Sequence, residues 1–449
     1  MAQTNRIRMA FSALGMAIIV FAIREARADD SAETRQELRR LEQQNQALQE
    51  QLQQQQKLIE SLSQKVNDIQ ETSAKRSREM EHLESEIKEA GPVAASSAVP
   101  GFGKVNISGE GGVAFFNTGR EGMFPNAEFR VDEAKLFVEA PIWSDVYFFT
   151  ELNLMTREAQ DLSLQLGELY LDFENVSRLW HRDRMLSVRA GRMDIPFGEE
   201  YLYRDAIDNP LISHSLSDFW GVDEGIELYG SMGKFSYVFA VQSGGVSGVR
   251  DYDADKAIAA RVSFDPSSWL HLSVSGMRTG DLDAVNDYWS KLWFASAWFL
   301  PSGSTNATKY HAELVEGDVS LRLPHGHIKA FGGYVHYDDN DPFADNSRDI
   351  YYYSLEGVHD LTRKLYAAVR FSQIFADKGM PIGANGQMDD YVFSGVLTEE
   401  IWRLSLGLGY RWSQNLLVKA EYSFERGKEL GGEKRNHEDM FAVEAAFKF

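Results

Sequence analysis

Beyond Val105, apolar and polar residues alternate with a period of two, in segments of roughly ten residues. Examples are AKLFVEAPI, LHLSVSGM and WRLSLGLGYRW, and a further segment, FAVEAAFKF, ends on Phe449. This period is that of a strand with one apolar and one polar face. Repeated segments of this length are typical of a transmembrane β-barrel, whereas a soluble sandwich has shorter strands. We therefore expect residues 105–449 to form an all-β, antiparallel outer-membrane barrel.

The connections between these segments alternate in length, as they do in barrels with short periplasmic turns and long external loops. If the last strand ends at the periplasm, the short connections fall on that side, at 141–145, 174–184, 232–234, 265–268, 324–326, 359–364 and 413–415. The long, acidic connections fall on the other side, at 117–128, 157–161, 193–221, 245–255, 280–309, 339–347, 376–400 and 428–437. Seven turns and eight loops predict sixteen strands, which enclose a water-filled channel. Extra strands at KLWFASAWFL and YVFSGVL would make eighteen.

The N-terminus has the features of a secretory signal peptide over residues 1–28. Arg6 and Arg8 precede an apolar run from Met9 to Ile23, and Ala26 and Ala28 form an A-x-A cleavage site. The run is short for a membrane-spanning helix, and no stretch of about 18 apolar residues occurs elsewhere. The chain contains no Cys, so an exported protein of this kind does not depend on disulfides.

Residues 29–90 are predicted to form a coiled coil, because apolar residues recur with 3,4 spacing from Leu38 to Ile87. Four polar residues interrupt the seam, and they are more plausible as specifiers of register or oligomeric state than as ligands: Asn45, Gln55, Ser73 and Arg76. They leave open whether the coil is a dimer or a trimer. Residues 91–104, rich in Gly, Pro, Ala and Ser, are predicted to form a linker. Because an even number of strands makes the first strand start at the periplasm, we expect the coil there.

The polar face of the predicted strands carries many charged residues. We expect it to line the pore with Arg189, Arg261, Arg322, Arg370, Arg403, Arg411 and Lys419, and with Glu151, Glu168, Asp172, Glu227, Asp318, Glu421 and Glu425. The small residues Ser273, Ser275, Gly407 and Gly409 on the same face argue against a plugged lumen. The net charge of the chain is −21, which excludes nucleic acid as a partner.

The connection 193–221 is long, aromatic and acidic, so we expect it to fold inward and constrict the pore. Its charged residues are Asp194, Glu199, Glu200, Arg204, Asp205, Asp208 and Asp218. Opposite the wall arginines, these acids would create a transverse field. A role in subunit contacts is the alternative.

Two stretches, GRMDIPFGEEYL from Gly191 and GVDEGIELYG from Gly221, resemble the phosphate-selective porin O/P family. In that family similar stretches enter and leave the third external loop. The resemblance implies a homotrimer of sixteen-stranded barrels whose third loop, here Asp194 to Trp220, narrows the pore. It also implies that Phe447 and Phe449 form a signal read by the outer-membrane assembly machinery. Phosphate selectivity rests on basic clusters there, whereas this loop is acidic, so only the architecture is carried over.

The function expected from the sequence is passive diffusion of small hydrophilic solutes or ions across the Gram-negative outer membrane, with cations somewhat favoured. The alternative is a structural tether, in which the coiled coil reaches toward the cell wall and the barrel is an anchor in lipid. No enzyme activity and no cofactor are expected, because the G-x-S-x-G, H-E-x-x-H and P-loop motifs do not occur. The acidic segments 251–256 and 337–345 lack the EF-hand pattern, so we expect solvated loops and no metal, with calcium binding by these loops left open.

Overall fold

The fold is described from a computed structural model, which covers residues 105–157, 165–218, 220–245, 248, 250–287, 306–386 and 396–449. The predicted signal peptide, coiled coil and linker lie outside the described residues. Among the described residues, no helix combines the length and apolarity needed to cross a bilayer.

The described residues form sixteen long antiparallel strands joined into one sheet, with two strands of two residues each in the loops. The long strands are β1 (Asn106–Thr118), β2 (Glu128–Trp143), β3 (Val146–Thr156), β4 (Gln165–Phe173), β5 (Ser187–Asp194), β6 (Val222–Met232), β7 (Phe235–Gln242), β8 (Ala257–Ser267), β9 (Leu270–Arg278), β11 (Lys309–Leu323), β12 (Gly326–Asp339), β13 (Arg348–Asp360), β14 (Leu365–Ile382), β15 (Val396–Ser413), β16 (Leu416–Glu429) and β18 (Met440–Lys448). The short ones are β10 (Leu282–Asp283) and β17 (Lys434–Arg435). Short helical turns occur at Val176–Trp180 and Glu200–Tyr203.

The sheet closes on itself, because the first and last strands pair along their length. Glu110 lies opposite Lys448, and Thr118 lies opposite Met440. Gly109 and Phe449 exchange both backbone hydrogen bonds, at 3.2 and 2.9 Å. Closure satisfies the backbone groups that an open edge would expose to hydrocarbon.

The closed wall decides between the two strand counts. Strand β9 pairs directly with β11 from Arg278 and Glu313 to Leu270 and Leu321. Strand β14 pairs in the same way with β15. Among the described residues, no further strand lies between these neighbours; KLWFASAWFL and residues 391–395 of YVFSGVL lie outside them. The predicted sixteen strands are confirmed.

Alternate residues of each strand face opposite sides of the wall. In β14, Tyr366, Ala368 and Arg370 are buried, while Val369 between them is exposed. The exposed set forms an apolar outer band, with large aromatic residues where strands meet the short turns: Trp143, Phe235, Trp269, Trp412 and Phe449. An apolar band bordered by aromatic residues is the outer surface of a membrane-spanning barrel. The buried set faces inward.

Candidate functional site

The connection between β5 and β6, residues 195–221, packs against inward-facing side chains of the wall. Phe197, Leu211 and Leu216 are almost fully buried. Gly198 has a φ of 66°, and a Cβ there would lie 2.4 Å from a carboxylate oxygen of Glu316. Its N–H donates to Ser275 Oγ at 3.0 Å. A glycine is thus required where the loop turns against the β9–β11 wall. We call residues 195–221 the inner loop.

Lys419 of β16 anchors the tip of the inner loop. Its ammonium donates to the carbonyl oxygens of Ala206, Asn209 and Leu211, at 2.7, 3.2 and 2.8 Å. It also forms an ion pair with Glu444 of β18 at 2.7 Å. Both side chains are almost completely buried, so the pair is shielded from water. One wall cation therefore neutralises a wall acid and fixes three carbonyls of the loop.

Three further wall residues bind the backbone of the loop at its middle. Arg370 donates to Ser213 O at 2.7 Å and to Asn209 Oδ1 at 2.9 Å, while its other edge pairs with Glu356. Arg403 donates to His214 O at 3.2 Å. Glu421 accepts the N–H groups of Ile212 and Ser213 at 2.6 and 2.8 Å. The wall therefore supplies both donors and acceptors to one stretch of loop backbone.

The acids of the loop bind mainly neighbouring groups rather than the wall arginines. Asp218 pairs with Arg204 at 2.9 Å and with His214 at 2.5 Å, all within the loop. Glu200 accepts the Ser215 N–H at 3.0 Å. Glu199 contacts His271 of β9 at 2.8 Å, and lies 3.9 Å from Arg261. The expected field between loop acids and wall arginines is therefore largely replaced by local pairs.

The other three predicted acids of the loop each contact a different residue. Asp205 pairs with Lys135 of β2, which the sequence analysis did not single out. Asp208 is half exposed and lies 3.7 Å from Lys448. Asp194 is the last residue of β5 and accepts the indole N–H of Trp220 at 2.9 Å.

The pKa values of two loop acids move in opposite directions. Burial opposes ionisation of Asp218, but Arg204 and His214 together hold its pKa below the ordinary range. Burial, with the nearby charge of Asp218, raises the pKa of Glu200 to about 7. Burial also lowers the pKa of His214, so a neutral imidazole is favoured there.

The predicted wall residues form three groups. Arg370 and Arg403 lie under the inner loop, as described. Arg322 is exposed, and Arg411, near the periplasmic end of β15, pairs with Asp360 at 2.7 Å. Arg189, Arg261 and Glu227 line a cavity between the inner loop and β4–β8, with a volume of about 290 Å³.

In this cavity, the guanidinium of Arg189 lies between two aromatic rings. Its guanidinium lies 5.1 Å from the ring centre of Tyr170 and 4.5 Å from that of Tyr229. It also pairs with Asp172 at 2.8 Å and with Glu227 at 3.2 Å. Tyr170 stacks in turn on Phe149 of β3, at 5.1 Å between ring centres. The tyrosines were missed by the sequence analysis, although their alternation with Leu169, Leu171 and Leu228 indicated the inner face.

The small wall residues have a different role from the one expected. Ser275 binds the loop at Gly198, and a Cβ on Gly407 would lie 2.4 Å from Leu211 of the loop. A Cβ on Gly409 would lie 2.1 Å from the ring of Tyr366, whose hydroxyl donates to Pro210 O at 3.0 Å. At Ser275, Gly407 and Gly409 the small side chains therefore make room for the loop and its anchor, and the expectation of an unplugged lumen stays a prediction.

Two other groups of the described residues carry the atom types of a metal site and of a serine–histidine dyad. Carboxylate oxygens of Glu110, Glu133 and Asp205 lie within 4.8 Å of one another, but Lys135 lies 3.9 Å from Glu110 and 3.7 Å from Glu133. The lysine therefore supplies the positive charge in this group. The Ser213 hydroxyl contacts Ser405 at 2.9 Å, while His214 Nδ1 faces Asp218, so the two side chains have separate partners.

No family model matches the chain, and no curated protein sequence matches it. Its structure is similar to that of the outer membrane channel DcaP of Acinetobacter baumannii, with 12% identity, a TM-score of 0.54, and coverage of 80% of this chain and 100% of DcaP. It is also similar to a trimer form of the outer membrane protein OmpT of Vibrio cholerae, with 12% identity, a TM-score of 0.51, and coverage of 77% and 99%. An anion-selective porin from Comamonas acidovorans gives 10% identity, a TM-score of 0.50, and coverage of 77% and 98%.

These similarities define a class by fold: the chain forms a sixteen-stranded β-barrel like those of outer-membrane porins. Membership of the phosphate-selective O/P family stays a prediction.

Proposed function

We propose that the protein is a passive channel for small hydrophilic solutes and ions in the outer membrane of a Gram-negative cell. The observation that carries this proposal is the charged cavity between the inner loop and β4–β8, inside a closed sixteen-stranded wall. Most wall contacts of the loop are to β9 and β14–β16, although Lys135 of β2 and Arg261 of β8 also bind it, so we take the side of β4–β8, where the cavity lies, as the route for solutes.

Cations are favoured over anions in this proposal. Residues 193–221 contain six acids and one arginine, and wall acids such as Glu168 and Asp318 have no lysine, arginine or histidine within 4.0 Å among the described residues. Negative charge around a narrow, low-dielectric passage raises the local concentration of cations. The two arginines of the cavity offset this excess only in part.

The inner loop narrows the passage, and the channel assembles as a homotrimer. The loop proposal is supported by its burial and by the wall contacts of Lys419, Arg370 and Glu421. The trimer proposal is supported by the trimer form of the similar OmpT barrel. Lipid of the outer membrane surrounds the apolar band. Phe447 and Phe449 remain the predicted signal for the outer-membrane assembly machinery.

The test is single-channel recording of purified protein in a planar bilayer, with the reversal potential read under a KCl gradient. Conductance in steps of three with cation selectivity is expected. Anion selectivity would show that the wall arginines dominate, and would return a phosphate-like solute to consideration. A folded barrel without any conductance would refute the channel. The tether would then be the remaining function, with its coiled coil outside the described residues.

A further inference from the structure

The cavity between the inner loop and β4–β8 has charged groups of opposite sign with unused binding capacity. In Arg189, Nε and Nη1 are occupied by Asp172 and Glu227. In Arg261, Nη1 donates to Gly198 O and to Tyr201 Oη. The Nη2 groups of both arginines make no hydrogen bond to a described residue. Each guanidinium therefore retains donors for a ligand carboxylate.

Two carboxylates of the same cavity have no cationic partner among the described residues. Glu168 accepts the backbone N–H of Asp194 at 3.0 Å, and Asp194 accepts the indole N–H of Trp220 at 2.9 Å. An acid in a partly enclosed site is stabilised by an incoming cation, because its own hydration is incomplete. An ammonium group is a cation of suitable size with three donors.

The arginines and the two acids of the cavity lie at different heights of the wall. Arg189 is opposite Asp172, whereas Arg192, near the outer end, is opposite Leu169. Glu168 is four residues before Asp172 on β4, or roughly 13 Å along the strand at 3.3 Å per residue. The acids are thus nearer the external end of these strands, and Arg189 is nearer their other end.

This separation excludes a free α-amino acid as the best match, since its ammonium and carboxylate are bonded to the same α-carbon. Three residues in extended conformation span roughly 10 Å. Long arginine and glutamate side chains can cover the rest of the distance. We propose that the cavity binds short zwitterionic peptides of two or three residues during permeation, with the α-ammonium at Glu168 and Asp194 and the α-carboxylate at Arg189 and Arg261.

The proposal deepens and rests on the proposed channel function, and the test separates the two. Triglycine is added at pH 7 while the KCl current through single channels is recorded. We expect concentration-dependent block by triglycine. N-acetyl-triglycine and triglycine amide each lose one charge-assisted contact, so each should need about tenfold more peptide for the same block.

Substitutions assign each end of the peptide to its partner. Glu168→Gln should weaken block by triglycine about tenfold but leave block by N-acetyl-triglycine unchanged, since that peptide has no ammonium. Arg261→Gln should weaken block by triglycine and leave block by triglycine amide unchanged. Two exposed positions serve as matched controls, Glu433→Gln in an external loop and Arg363→Gln in a periplasmic turn, and should change nothing.

Equal block by capped and uncapped peptides, or by free glycine at the same concentration, would overturn the peptide site while KCl still conducts. Unchanged block in both Glu168→Gln and Arg261→Gln would overturn it as well. Loss of the KCl current itself in the unmodified protein would instead refute the channel.

Discussion

Replacing Lys419 by Met should release the tip of the inner loop. The ammonium binds three loop carbonyls at 2.7–3.2 Å and neutralises the buried Glu444. Each hydrogen bond to a charged donor contributes about 1.5–3 kcal/mol, but part of that sum offsets the cost of burying the lysine. Removing one partner of a buried pair costs about 3–5 kcal/mol, which we take as the loss for Lys419→Met. Methionine keeps the volume, so the effect comes from the charge.

The expected result is a channel with higher conductance and more frequent current fluctuations than the unmodified protein. A second variant, Lys419→Met with Glu444→Gln, removes the unpaired acid while still lacking the loop anchor. It should regain part of the lost stability against thermal unfolding, yet keep the high conductance. If both variants conduct like the unmodified channel while remaining folded, the loop tip is not held by Lys419 and the account of the constriction is wrong.

Three further outcomes follow from the same contacts. Gly409→Val should force the Tyr366 ring away and cost about 1–3 kcal/mol of thermal stability; adding Tyr366→Leu should restore it, and no loss in the single variant would contradict the packing. The Glu200 pKa rises from 4.5 to about 7, so the stabilisation of the docked loop by Glu200 is complete below pH 4.5 and is lost as pH rises through about 7. The stabilisation by Asp218 has the opposite dependence: it is present above pH 3.8 and is lost as pH falls below that value. Current fluctuations should therefore increase from pH 5 to pH 8, and an equal increase in Glu200→Gln would refute this assignment. Tyr170→Leu removes a ring from Arg189 without changing charge, so triglycine block should weaken roughly threefold while the KCl reversal potential stays the same.

The strands and their number could be predicted from the sequence because each strand repeats one simple constraint. Lipid requires an apolar outer face, so residues such as Leu404, Leu406 and Leu408 alternate with Arg403 and Ser405 in β15. Once the sheet is closed, the number of strands and the lengths of the turns determine which strands pair. The alternation of buried and exposed residues fails at bulges. The register of β1 and β2 shifts between Gly112 and Val113, and the sequence neighbours Asp132 and Glu133 are both buried there.

The partners of the inner loop could not be predicted, because most of the wall contacts that fix it are to its backbone. Lys419, Arg403 and Glu421 bind carbonyl or N–H groups, which every residue of the loop presents except for the missing N–H of proline. Complementary charges in the sequence, such as the loop acids and wall arginines, therefore suggested pairs that largely do not form. The binding of the loop through its backbone also indicates which residues determine the specificity of the channel. Because the wall holds the loop mainly through its backbone, the specificity of the cavity between the loop and β4–β8 depends on the few side chains with unused binding capacity, Glu168, Arg189 and Arg261.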